Sequence, residues 1–197
     1  MEAIILAELR GDVRKRILIA AEKLFAERGY DGTSVQEITE MAGVNKAMIY
    51  YYFKSKLFLY RELLRVGLES VRAALDEAMK HVGVEQRLRA FLTAYFELLA
   101  ARPQLAHLVY REILGYGPRC KTDLPNQLSL HIKRLEKIID EGQRLGELRP
   151  LDSVLTAYSL FGMSNIFVTA HIVGARPLNI PATVEHTLQL LLHGASI

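Results

Sequence analysis

The side chains best placed to meet a polyanion stand close together. Within residues 46–56 lie Lys46, Tyr50, Tyr51, Tyr52, Lys54 and Lys56. A lysine ammonium neutralises a phosphate, or donates to O6 and N7 of a guanine. A tyrosine offers its hydroxyl to a phosphate oxygen and its ring edge to a thymine methyl. The whole chain is only weakly basic, with formal net charge +3 and pI ≈ 9.0. Between Met41 and Arg65, however, the bases are Lys46, Lys54, Lys56, Arg61 and Arg65, and the only acid is Glu62. Positive charge is therefore focused on the tyrosines. Three successive helical positions span about 200° at 3.6 residues per turn, so the tyrosines cannot all face one core.

Other chemistries find little support. The histidines, His81, His107, His131, His171, His186 and His193, include no i, i+4 pair, and no H-E-x-x-H or C-x-x-C occurs. Neither a G-x-S-x-G elbow nor a phosphate-binding glycine loop is present. No catalytic residue, metal or cofactor is expected, and the chain does not read as an enzyme. Cys120 is the single cysteine, so an intramolecular disulfide is impossible and a reducing cytoplasm is the natural setting. Arg119 and Lys121 flank it and would favour its thiolate, but an inert loop cysteine is the simpler reading. Glu2 and Glu8 argue against a signal peptide. The longest apolar window, about Leu160–Val173, is broken by Ser164, Asn165, Thr169 and His171, so no membrane partner is expected.

The elements that must position these residues are helices. Val13, Ile17, Ala20, Ala21, Leu24 and Phe25 recur at helical spacing and predict a helix over about 12–28, ended by Gly29. Ser34-Val-Gln-Glu37 is a capping box opening a second helix, and Val35, Ile38 and Ala42 face inward. Gly43 supplies a turn, and Asn45 caps a third helix to about Tyr52. Ser55 caps a long fourth helix with Tyr60, Leu64, Val71, Leu75 and Ala78 on one stripe. Helices follow over about 85–101, from Pro103 to near Gly115, over 126–144, from the Asp152 cap to about Val173, and over 182–193. Residues 115–125 are the one long loop expected. No strand alternation survives. The chain is thus all-α, with about nine helices: a three-helix head over 1–54, whose residues 1–11 form an N-terminal extension, and a helical body over 55–197. Two short helices about a glycine turn, with lysines and tyrosines on the second, make a helix-turn-helix suited to the major groove.

G-Y-D-G-T-S-V-Q-E-I followed by A-G-V-N-K-A-M-I-Y-Y-Y-F-K-S-K resembles the tetracycline-repressor (TetR) family of bacterial transcriptional regulators, from about Val13 to Leu64. The resemblance implies phosphate contact by Thr33 and Ser34 at the second helix N-terminus. It places Lys46 and Ala47 against base edges, Asn45 at the cap and near the backbone, Tyr50, Tyr51 and Tyr52 on phosphates or thymine, and Lys56 on a phosphate. Phe53 is expected in the head's core. Asn45 stands where serine or threonine is commoner in the family, and Met48 sits on a helix that often has a small residue nearby.

The family's body is a ligand sensor and dimerisation unit. The last two helices are apolar on more than one side, and Leu155, Tyr158, Ile166, Val184, Leu188 and Leu191 are expected at a homodimer interface. Tyr95, His107, Tyr110, Arg111, Phe161, Asn165 and Thr169 are polar or aromatic groups within apolar helices. Each can be structurally paired, Arg111 with Glu97 or Glu112 for example; together they leave room for a small-molecule effector. The leading expectation is a cytoplasmic repressor on a palindromic double-stranded DNA operator, released by a hydrophobic or amphipathic ligand. The competing one is a DNA-binding interaction protein controlled by a protein partner.

Overall fold

The computed structural model describes the backbone of residues 2–113 and 124–194, and the side chains of 13–112 and 129–194. Among these residues the secondary structure is helical: α1 (Glu2–Arg28), α2 (Val35–Ala42), α3 (Lys46–Phe53), α4 (Lys56–Ala78), α5 (Val84–Ala101), α6 (Pro103–Ile113), α7 (Leu124–Arg144), α8 (Ser153–Ile172) and α9 (Ile180–Leu192). The all-α expectation is met. Most of the loop expected over 115–125, with Cys120, lies outside the described residues. Two ends differ from the sequence reading. α1 starts at Glu2, so the extension is its first part. α9 starts at Ile180, with Pro181 in its first turn and Asn179 as cap, accepting from the Ala182 N–H at 3.1 Å. Proline is tolerated there because a first-turn N–H has no helical partner.

Packing divides the chain into two compact units, Met1–Gly67 with Gln104–Thr122, and Leu68–Pro103 with Asp123–Ile197. The first takes in more than residues 1–54. The first three helices leave their core open on one side, and Leu59, Tyr60, Leu63 and Leu64 of α4 with Leu108 of α6 complete it. The rest of that core is Ile17, Ala20, Ala21, Leu24 and Phe25 of α1, Ile38 and Ala42 of α2, and Ile49 and Phe53 of α3.

Helix ends in this unit are fixed by their own residues. Ser34 Oγ accepts the Glu37 N–H at 3.1 Å, and the Ser34 N–H donates to Glu37 Oε2 at 2.7 Å, closing the capping box. Gly43 stops α2 in the left-handed region, φ 63° and ψ 44°, and its N–H donates to the Glu40 carbonyl. A residue with a Cβ is disfavoured in that conformation. Asn45 Oδ1 accepts the Met48 N–H at 3.1 Å and starts α3. Lys54 ends it at φ 60°, and the Ser55 N–H donates back to the Phe53 carbonyl. Ser55 Oγ then accepts the Phe58 N–H and starts α4.

In the second unit the buried residues include Leu88, Phe91, Leu92, Tyr95 and Phe96 of α5, Ile132, Leu135, Ile138 and Ile139 of α7, Ala157, Leu160 and Val168 of α8, and Val184 and Leu188 of α9. α8 is long and apolar enough to cross a membrane by length and composition, yet only 22% of its 18-residue apolar window is buried. His131 of α7 is 2% exposed, and its Nε2 has no hydrogen-bond partner. Burial, and next the Arg134 charge, lower its pKa to about 4; Asp76 works the other way.

A base whose folded pKa is lowered leaves the unfolded state binding more protons at acid pH. Stability from this site is therefore intact above the ordinary value of 6.5 and falls as pH drops towards about 4. One proton can contribute at most about 1.4 kcal/mol per pH unit to the slope. Urea unfolding at a series of pH values should show a shallower loss across this window for His131→Leu than for wild type.

Candidate nucleic-acid interface

The exposed face of α3 is set by its buried face. Ile49 and Phe53, four apart, point into the head's core, and Tyr52 lies half-buried against it. Asn45, Lys46, Ala47, Met48, Tyr50 and Tyr51 are left exposed, Tyr51 at 65%. Tyr51 and Tyr52 meet edge to face, with centroids 5.0 Å apart. The expected site residues Asn45, Lys46, Ala47, Tyr50 and Tyr51 thus share an outward surface, while Tyr52 is divided between core and rim. Two exposed residues were not in the expected set. Met48 lies within the same exposed run as Lys46 and Ala47, which helical spacing alone signals. Lys54 is exposed at the turn after Phe53.

At the start of α2 the two hydroxyls differ. Ser34 is exposed and caps the helix, and by helix geometry the N–H groups of Val35 and Gln36 have no carbonyl one turn back. Thr33 is 1% exposed, and its one hydroxyl proton is shared between the carbonyls of Gly29 at 2.8 Å and Leu24 at 3.1 Å. The expectation of a phosphate contact through the Thr33 hydroxyl is corrected: the group is spent closing the end of α1. Lys56, expected on a phosphate, is half-buried and engaged within the chain. Its Nζ donates to the carbonyls of Tyr30 and Thr33, each at 2.8 Å, and stands 4.1 Å from the Tyr30 ring centroid. Irregular turn carbonyls need donors, and this ammonium supplies two of its three N–H bonds to them.

Behind α3, Arg14 of α1 and Arg65 of α4 both pair with Glu62, and the Arg14 guanidinium lies 5.5 Å from the Phe53 ring centroid. The Arg65 hydrogen bond, aided by the charges of Arg65 and Arg14, holds the Glu62 carboxyl below its ordinary range against the effect of burial. Deeper in the unit, the Tyr60 hydroxyl donates to Glu112 Oε2 at 3.2 Å, and burial raises the Glu112 carboxyl.

The seven residues expected around an effector fall in both units. Tyr95, Phe161, Asn165 and Thr169 form one cluster in the second. The Tyr95 hydroxyl donates to Asn165 Oδ1, the Tyr95 and Phe161 centroids are 5.7 Å apart, and the Thr169 hydroxyl donates to the Asn165 carbonyl. His107, Tyr110 and Arg111 belong to α6 in the first unit, and Arg111 packs on Gly29. Of the expected dimer residues, Leu155, Tyr158 and Ile166 are exposed, Ile166 at 62%, and Leu191 is half-buried. Val184 and Leu188 are 2% and 1% exposed, so they are corrected to core residues of their own chain. Their face of α9 meets the second unit's core because Thr187 and Leu188 follow Val184 by three and four positions.

A short capped helix with lysine, tyrosine and small side chains on its free face, set after a glycine turn, defines a helix-turn-helix protein. Residues 17–63 match the bacterial regulatory proteins of the tetR family, and residues 81–169 match the tetracyclin repressor-like C-terminal domain. The chain is 33% identical over 188 residues to the HTH-type transcriptional activator FasR of Mycolicibacterium smegmatis, covering 95% of this chain and 84% of that protein. It is 26% identical to the fatty acid metabolism regulator protein of Bacillus subtilis, covering 91% and 93% of the two chains. Among solved structures, the TetR family regulator PfmR of Thermus thermophilus superposes with a TM-score of 0.79 at 25% identity, covering 92% of this chain and 100% of that one. The fatty acid degradation regulator FadR of Bacillus halodurans superposes with a TM-score of 0.72 at 26% identity, covering 93% and 96%. The chain belongs to the tetR family of bacterial regulatory proteins, and is a DNA-binding transcriptional regulator.

Thr33→Val keeps the shape of the buried side chain and removes its shared hydrogen bond. The expected outcome in urea unfolding is a loss of about 1–3 kcal/mol. Unchanged stability together with weakened DNA binding would instead restore Thr33 to the phosphate surface.

Proposed function

We propose that this chain is a homodimeric repressor whose grip on a palindromic operator is released by a fatty-acyl ligand. The observation that carries the DNA-reading part is the free face of α3, where Lys46, Ala47, Tyr50 and Tyr51 are exposed while Ile49 and Phe53 anchor the helix. In this reading Lys46 donates to a guanine, the Ala47 methyl meets a thymine methyl, and Asn45, Tyr50, Tyr51 and the rim residue Tyr52 hold the flanking backbone. Ser34 and the open N–H groups of α2 hold a phosphate. Residues 1–54 read DNA and 55–197 sense and dimerise, in the cytoplasm where the DNA is.

Support for the dimer is the outer face of α8. Leu155, Tyr158, Gly162 and Ile166 recur at spacings of three, four and four, all exposed, with open space at Gly162. An apolar stripe of this kind calls for a partner, and the same stripe of a second copy is self-complementary about a two-fold axis. A dimer of this kind pairs two heads for the half-sites of a palindrome, which lie about 34 Å apart on successive major grooves. Support for the ligand class is the two relatives named for fatty acid metabolism and degradation, together with the apolar second unit, where Tyr95 and Asn165 offer a polar pair for a head group. A ligand there acts by favouring one α4 arrangement over another. A second reading, activation, is favoured by the 33% identical relative, which is named an activator. Control by a protein partner is the remaining alternative.

Selection of duplexes from a randomised library by the purified full chain should return a palindrome, and addition of long-chain acyl-CoA or free fatty acid should release it. Enrichment of a palindrome that neither compound releases would reject the fatty-acyl effector and leave the DNA-binding reading standing. Ile166→Asp should shift the chain from dimer to monomer in sedimentation and weaken operator binding by at least about tenfold, since one half-site then binds alone. A dimer that survives this change would place the interface elsewhere.

A further inference from the structure

The turn between α1 and α2, residues 29–33, meets cations from two helices that follow it in the chain: one bonds to its carbonyls and the other packs on its glycine. Lys56 of α4 donates to the Tyr30 and Thr33 carbonyls, both at 2.8 Å. Arg111 of α6 lies on Gly29, so closely that a Cβ there would fall 2.9 Å from its Nη2. Gly29 sits at φ 74°, where a side chain is strained in any case. Its place at the C-terminal end of α1, the negative end of the helix dipole, suits a guanidinium. Between these two cations the Tyr30 ring stacks on Phe25 at 5.8 Å and meets the edge of Tyr60 at 5.3 Å. Tyr60 is bonded to Glu112, the neighbour of Arg111. Thr33 is fastened to Leu24 and Gly29. The next residue is Ser34, the cap of α2.

We infer that Lys56 and Arg111 are positioning residues for DNA binding: they fix residues 29–33, and so the phosphate-facing start of α2, without touching DNA themselves. The inference rests on the DNA-reading function proposed above. Lys56 has its ammonium turned inward on two carbonyls and an aromatic ring, a setting that rewards a cation without any phosphate. Arg111 packs from α6 on Gly29 at the other end of the same turn.

Salt dependence separates positioning from contact. Removal of a lysine that neutralises a phosphate makes the slope of log K against log salt shallower by about 0.9 for each half-site bound, whereas a displaced α2 lowers affinity at every salt concentration. The test uses the full chain, a duplex selected from a random library by the wild-type protein, and the variants Lys56→Met and Arg111→Met. Binding is measured at temperatures where circular dichroism shows each variant folded. The expected result is an affinity decrease of about tenfold for Lys56→Met, the scale of one charge-assisted bond, and a smaller decrease for Arg111→Met, which loses packing on Gly29, with the wild-type slope retained in both. A shallower slope for Lys56→Met would overturn the inference by making Lys56 a phosphate ligand. Unchanged affinity for both would overturn it by showing that the turn does not govern DNA binding. If Lys56→Met does not fold, Lys56→Gln takes its place, since its amide keeps a donor near the carbonyls without the charge. The wild-type slope is again expected, and a shallower one is again fatal. A wild-type chain that selects no duplex would overturn the DNA-binding reading itself, an outcome distinct from all of these.

Discussion

The burial of Ile49 and Phe53 in the head's core is the constraint on which the reading surface depends. α3 has eight residues, too few to be stable by itself in water. Anchors at two positions four apart hold it to α1 and α4 and determine its rotation. Every other side chain is then aimed by the 100° step of the helix. Lys46 and Tyr50 are exposed for that reason, and Tyr52 is drawn to the core edge for the same one. Arg14, stacked near Phe53 and paired with Glu62, ties the anchor to the helices behind it.

Around this anchor, polar groups at helix ends are satisfied locally. The capping box of Ser34 and Glu37, the left-handed Gly43 and the cap at Asn45 define the α2–α3 turn within a dozen residues. The α1–α2 turn is different in kind. Its carbonyls are met by the Thr33 hydroxyl and by Lys56, more than twenty residues away in sequence. Donors that sequence suggests for a ligand are thus engaged by the fold, because an unpaired turn carbonyl inside a protein costs about as much as the bond itself contributes.

The second unit divides its apolar residues between an inner face and an outer one. On α9, Val184 and Leu188 fill the unit's own core. On α8, Ala157, Leu160, Ser164 and Val168 go inward, while Leu155, Tyr158 and Ile166 go outward. Polar groups on the inner side find each other, as Tyr95 and Asn165 do. His131 is the exception: an imidazole nitrogen buried without a partner, which couples the unit's stability to pH.

Local signals made the helix order, the capping residues and the helix-turn-helix legible in the sequence, since a cap, a glycine turn and a 3.6-residue period act over a few neighbouring positions. The exposure of Lys46, Ala47, Tyr50 and Tyr51 follows from that same period once Phe53 is placed in the core. Pro181 reads as loop from sequence because a proline before a helix and one in its first turn look alike without the backbone. The hydrogen-bond partners of Thr33 and Lys56 and the burial of Val184 and Leu188 were decided only by tertiary structure. A hydroxyl, an ammonium or an aliphatic chain has the same chemistry facing inward or outward, and its direction depends on residues distant in the chain: Gly29 and Leu24 for Thr33, Tyr30 for Lys56, the core of the second unit for Val184 and Leu188.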